Sequence, residues 1–118
     1  MNSMRAVAIF PEILPENLIE FKAVATKVLA NVQAQRNILR YDLFFTEDFK
    51  QCVVLEEFES PDGVIEHVKK NADLLNELTR LGGKIQGSIF PLSQDGEAIQ
   101  SIKENWDSKF HSHFAGKI

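Results

Sequence analysis

The sequence predicts an α+β domain of the ferredoxin-like type, a split βαβ sandwich (βαββαβ) built on an antiparallel sheet, with a C-terminal helix and a short strand added. Three observations lead there. Hydrophobic residues recur with periods of two and about 3.6 in the order strand, helix, strand, strand, helix, strand. The two middle strands are joined by a short polar turn, as in a hairpin. The chain has 118 residues, 44% hydrophobic and 25% charged, which suits one ordinary globular domain. A single domain is therefore expected over residues 1–118, with a core at residues 5–92 and an extension over residues 93–118.

Residues 5–10 are short and apolar and stop at Pro11, which reads as a buried strand. Pro15 opens a helix, because a proline at the first helical position loses no needed hydrogen bond. Glu16 and Glu20 suit the positive end of its dipole. Leu18, Phe21, Ala25, Val28, Leu29 and Val32 then form one apolar stripe, ending near Gln35. Asn37 is suited to the left-handed conformation that turns the chain back. Leu39, Tyr41, Leu43 and Phe45 alternate with Arg40, Asp42 and Phe44, a strand by period two. After the turn, residues 51–58 form a second strand, whose consecutive Val53, Val54 and Leu55 imply burial on both faces.

Ser60-Pro61-Asp62 is a helix start: a hydroxyl cap, a proline in the first turn, then an acid. Val64, Val68, Leu75 and Leu78 form the stripe, with His67 and Asn71 at its flank and a kink or break at Asn71. Gly82-Gly83 ends this helix, and residues 85–92 form the fourth strand. In the extension, Ala98, Ile99, Ile102 and Trp106 mark a short amphipathic helix. Phe110 and Phe114 then alternate with His111 and His113, as an added edge strand would.

Composition narrows the function. A net charge of -4 argues against nucleic acid as a partner, because phosphate binding needs a basic face. No apolar run approaches a membrane span and no signal segment is visible, so a cytoplasmic protein without membrane partners is expected. Cys52 is the sole cysteine and sits among apolar neighbours, where a small buried hydrophobe is its expected role. His111 and His113 have strand spacing but no third ligand nearby, so no metal site is expected. There is no Gly-rich phosphate loop, nucleophile elbow or paired-Cys motif.

Two helices cover only one face of a four-stranded sheet, yet these strands carry apolar residues on both. The second face would be a large exposed apolar patch. A two-fold homodimer with sheets packed face to face is expected, with tail aromatics reaching the partner.

The segment Arg36-Asn37-Ile38-Leu39-Arg40-Tyr41 resembles the strand Pro-Gly-x-Leu-x-Tyr of the antibiotic biosynthesis monooxygenase superfamily, whose members are dimeric α/β barrels. Glu56-Glu57-Phe58-Glu59-Ser60 is similar to that superfamily's Glu-x-Trp strand end with its following acid and Ser. Val64 and His67 match its helix signature of an apolar residue three positions before a His. The resemblance covers residues 5–92, and Gly87-x-Ile89-x-Pro91-Leu92-Ser93 with Phe114-Ala115-Gly116 is similar to one branch. Phe58 stands where the superfamily has Trp, and Asn37 where it has Gly. The first strand holds no Asn, which disfavours the haem-degrading branch.

The resemblance implies a monooxygenase that uses no cofactor and oxygenates a small aromatic or quinol-type substrate. The alternative is a non-catalytic dimeric module that binds a small ligand or a partner. The substrate must lose a proton before its anion reduces dioxygen, and an imidazole in an apolar pocket suits that step. His67 is the candidate base or orienting donor. Tyr41, Asn71, Phe58 and Trp106 are the candidate substrate-binding residues, with Trp106 as a lid or a packing residue. Arg40 and Glu56 are read as a structural ion pair, across strands or between subunits. A cavity of a few hundred cubic ångström with the His67 ring on its wall would favour the enzyme (roughly 300 Å³ or more).

Overall fold

The computed structural model describes residues 3–92 and 96–117; Ser93 of the closing motif lies outside the described residues. Strand β1 is Met4–Phe10, and a 3-10 turn at Pro15–Asn17 leads into helix α1, Leu18–Gln33. Strands β2 (Ile38–Phe45) and β3 (Cys52–Phe58) follow, then helices α2 (Pro61–Lys70) and α3 (Ala72–Gly82). Strand β4 (Gln86–Pro91), helix α4 (Glu97–Asn105) and strand β5 (Ser108–Phe110) complete the chain. Among the described residues, no helix is long and apolar enough to cross a membrane.

The sheet runs β2-β3-β1-β4-β5. Its first four strands pair antiparallel, and β5 adds parallel to β4. The hairpin β2–β3 is local, whereas β1 inserts between β3 and β4. That is the split βαβ arrangement and confirms the ferredoxin-like reading.

Side chains alternate across the sheet. Met4, Ala6 and Phe10 of β1 and Cys52, Val54 and Phe58 of β3 lie buried on the helical side. The core there has two lobes. Phe10, Phe21, Val28, Leu78 and Leu81 pack between the sheet, α1 and α3. Met4, Phe58, Val64, Ile99 and Ile102 pack under α2 and α4. The other face presents Phe44, Leu55 and Phe90, all exposed, beside Arg5–Glu57 and Arg40–Asp42 ion pairs at 3.6 and 3.4 Å.

Four local expectations need correction. A bulge between Ile38 and Arg40 shifts the strand by one residue, so Ile38 packs inward and Leu39 is exposed. Asn37 does not take a left-handed conformation; among the described residues, Phe49 is the non-glycine residue with positive φ, at 58°. Asn37 works through its amide, accepting from Gln35 Nε2 at 2.6 Å and donating to Glu66 Oε2 at 2.7 Å. The Ser60 hydroxyl makes no capping bond to α2. His67 and Asn71 do not flank the apolar stripe: they are 4% and 1% exposed, at its centre.

Candidate functional site

The cleft forms at the seam between the two core lobes. There β1 presents Ala6 and Ala8, and β4 presents Gly87, inward positions filled by the smallest side chains. Larger residues would close the seam; these leave a cleft of about 390 Å³, mostly walled by Phe10, Val54, Val64, Leu75, Ile89 and Ile102. Into that apolar wall project three polar side chains from three elements: Tyr41 of β2, Glu56 of β3 and His67 of α2. Trp106 lines one side, and a Lys84–Asp107 ion pair of 3.5 Å between exposed side chains marks the mouth.

Strand register brings two of the three together. Tyr41 and Glu56 are directly opposed in the β2–β3 ladder, so they share a face. The third arrives from α2, with the His67 ring set edge-on to Tyr41 at 5.2 Å between centroids. Phe58 backs the imidazole at 6.1 Å.

His67 is held from below by Asn71, one helical turn on. Asn71 Nδ2 lies 3.2 Å from His67 Nδ1 and donates to the His67 carbonyl at 3.0 Å. Its Oδ1 accepts from Asn31 Nδ2 of α1 at 2.9 Å. The His67 carbonyl also accepts from the Asn71 backbone N–H at 3.1 Å, and α2 gives way to α3 at Asn71 (φ -113°, ψ 16°).

Burial in the apolar wall sets the protonation states. It pushes the Glu56 carboxyl up from 4.5 to about 8. It pushes the His67 imidazole down from 6.5 to about 4. The Tyr41 hydroxyl is held above its ordinary value, first by burial and then by the charge of Glu56. At neutral pH all three groups are therefore mainly uncharged. Each presents a proton, and Glu56 alone stands near its titration point.

The sequence candidates sort as follows. His67, Tyr41 and Trp106 meet at the cleft. Phe58 does not reach it: the side chain is fully buried behind the imidazole, packed with Met4, Val64 and Ile102. Asn71 does not reach it either, because its amide is occupied by His67 and Asn31 beneath the wall. The Arg40–Glu56 pair is not made within the chain. Arg40 opposes Glu57 on the outer face and pairs with Asp42, whereas Glu56 points to the helical side. Period two forces this, since adjacent residues on one strand face opposite ways.

Sequence reasoning paired Glu56 with Arg40, which the register sets on opposite faces, and did not single out Asn31. A signal existed for the first: Val54, Glu56 and Phe58 alternate on one face, so a carboxyl stands at a core position. Nothing comparable marks Asn31, a polar residue on an exposed turn of α1 that tertiary packing alone brings to Asn71.

No protein-family model and no curated protein sequence matches the chain. Solved structures do. The chain superimposes with a TM-score of 0.82 on MupZ from Pseudomonas fluorescens, at 16% identity, covering 99% of this chain and 93% of that one. SnoaB from Streptomyces nogalater, a cofactor-independent oxygenase, gives 0.66 at 15% identity over 82% and 98%. An antibiotic biosynthesis monooxygenase gives 0.64 at 16% identity over 79% and 99%. The match to MupZ covers nearly the whole chain, and the two oxygenase matches cover about four fifths of it.

Proposed function

We propose that this chain, which has the α+β fold of the antibiotic biosynthesis monooxygenases, oxygenates a small aromatic substrate of phenol or quinol type without a metal or flavin. The observation that carries the reading is the 390 Å³ apolar cleft with Tyr41, Glu56 and His67 on its wall. An apolar slot of that size takes a ring system, and a few convergent polar groups orient its oxygen. A non-catalytic module has no need of one buried and two half-buried polar groups meeting in an apolar wall, because each one costs desolvation.

The chemistry follows from the substrate's own electrons. A hydroxyl-bearing ring loses its proton to a group of the cleft, and the anion passes one electron to dioxygen. The superoxide and the ring radical join at a hydrogen-bearing ring carbon, and the peroxide takes back the proton held in the cleft to become a hydroperoxide. Loss of water leaves a carbonyl at that carbon, so one oxygen atom enters the product and the other leaves as water. The protein's part is to hold the oxygen with neutral donors, Tyr41 and His67, and to exclude water that would solvate the anion and make it a weaker reductant.

The chain functions in this proposal as a two-fold dimer that covers the outer face of the sheet, where Phe44, Leu55 and Phe90 are exposed.

Oxygen uptake with a panel of hydroquinones and naphthols tests the activity. Wild type is expected to consume oxygen with at least one of them. His67→Ala is expected to lose on the order of a hundredfold in rate, the range for one well-placed donor. Saturable ring binding without uptake by any panel member would leave the cleft a binding site and end the oxygenase reading.

A further inference from the structure

The Asn31–Asn71–His67 chain of amides fixes more than the position of a ring. Asn71 Nδ2 sits 3.0 Å from the His67 carbonyl, which can only accept, so that atom is the amide nitrogen. The opposite end agrees: Asn71 Oδ1 receives a proton from Asn31 Nδ2 at 2.9 Å. The second hydrogen of Asn71 Nδ2 is then aimed at His67 Nδ1, 3.2 Å away. Nδ1 must accept, so the ring proton of the neutral imidazole belongs on Nε2. An imidazolium would set N–H against N–H, a second reason besides burial for the ring to stay neutral. His67 therefore has no lone pair left for a substrate proton.

Of the two carboxyls that line the cleft, Asp107 is exposed at the mouth and paired with Lys84, which leaves Glu56 for that task. Glu56 makes no ion pair or side-chain hydrogen bond among the described residues, and it stands opposite Tyr41 on the same wall. We infer that the Asn31–Asn71 relay commits His67 to donating from Nε2 to the substrate oxygen, and that Glu56 takes the proton from the substrate's phenolic or enolic hydroxyl. The step balances simply: the substrate O–H bond breaks, its electron pair stays on oxygen, and a new O–H bond forms on the Glu56 carboxylate. The charged and titratable groups around Glu56 are Tyr41 from β2, His67 from α2, and Lys84 and Asp107 at the mouth. Tyr41 and His67 are both proton-bearing at neutral pH. The carboxyl pKa near 8 suits a base for phenols, close to working pH yet strong enough to accept.

The substrate assignment rests on the oxygenase reading, but the proton arrangement has its own readout. Nitrogen NMR of histidine-labelled, substrate-free protein is expected to show His67 Nε2 protonated and Nδ1 unprotonated from pH 6 upward. Asn71→Asp is expected to reverse the tautomer, because a carboxylate at that place accepts from Nδ1. Asn31→Ala is the milder variant, expected to give a mixture of tautomers without removing a buried group. A wild-type ring protonated at Nδ1 overturns the inference whatever the activity.

With an active substrate, Glu56→Gln is expected to lose on the order of a hundredfold in kcat. The rising limb of the rate-against-pH curve near pH 8 should vanish with it, while KM changes little. His67→Gln, which keeps an N–H donor, is expected to retain more activity than His67→Ala. Equal pH limbs in wild type and Glu56→Gln would return the proton to another group and sink the assignment. If no panel substrate reacts, the carbon NMR titration of the Glu56 carboxyl decides: a midpoint near the ordinary 4.5 overturns the inference.

Discussion

At the scale of single residues, the site is governed by what burial does to charge. Glu56 and His67 shift in opposite directions for the same reason, since both lose solvation of the charged form. Their effects on stability differ in sign and window. Glu56 has a raised pKa, so its contribution is fully present below pH 4.5 and is lost as pH rises towards 8. His67 has a depressed pKa as a base, so its contribution is full above 6.5 and is lost as pH falls towards 4. Glu56→Gln should therefore stabilise the protein above pH 8, by roughly 2–3 kcal/mol once water in the cleft is allowed for. The gain should fade below pH 4.5, and urea unfolding at pH 9 and pH 4 checks both ends. A variant equally stable relative to wild type at the two pH values would show that the carboxyl is not desolvated. Cys52 shows the inert case: fully buried, its thiol is pushed up to about 11 and stays out of the chemistry.

At the scale of elements, the cleft exists because two helices and their strands pack as separate lobes. Helix α3 is pressed against α1 through Gly82, where an added Cβ would lie 2.8 Å from Phe21 Cε2 and 3.0 Å from Phe10 Cβ. Gly82→Ala is expected to cost about 1–3 kcal/mol by overpacking a region with no room to yield, measured as a lower urea midpoint. Helix α4 closes the other lobe with Ile99 and Ile102, both 0% exposed. Ile102→Ala should cost about 2–4 kcal/mol and also widen the cleft that Ile102 lines, so ring binding should weaken along with stability. Element existence and order were legible from periodicity. So was the break at Asn71, which falls between α2 and α3. The bulge at Leu39 was less so, because it depends on pairing with β3.

At the scale of the whole molecule, the sheet has one face under helices and one that carries exposed Phe44, Leu55 and Phe90. The proposed dimer buries that second face. Sedimentation should give twice the 13.4 kDa of one chain at micromolar concentration, and Phe44→Glu with Leu55→Glu should return it to a single chain. A wild-type monomer at that concentration would remove the dimer. Phe114 is 99% exposed at the end of the tail, which makes it the tail aromatic best placed to meet a partner.

Periodicity and turn chemistry in the chain alone determined the order of strands and helices, the four-strand core and the helix bearing His67, because local spacing dictates which side of an element is apolar. Spacing also set Val54, Glu56 and Phe58 on one side of a strand, although the significance of the middle residue emerged only beside Tyr41 and His67. Tertiary structure decided the rest: that Ala6, Ala8 and Gly87 line up to leave a hollow, that Asn31 meets Asn71, and that Arg40 and Glu56 face apart. These are relations between residues far apart in the chain, and they depend on register and on which helices dock. A pattern read along one segment holds no record of the segment packed against it.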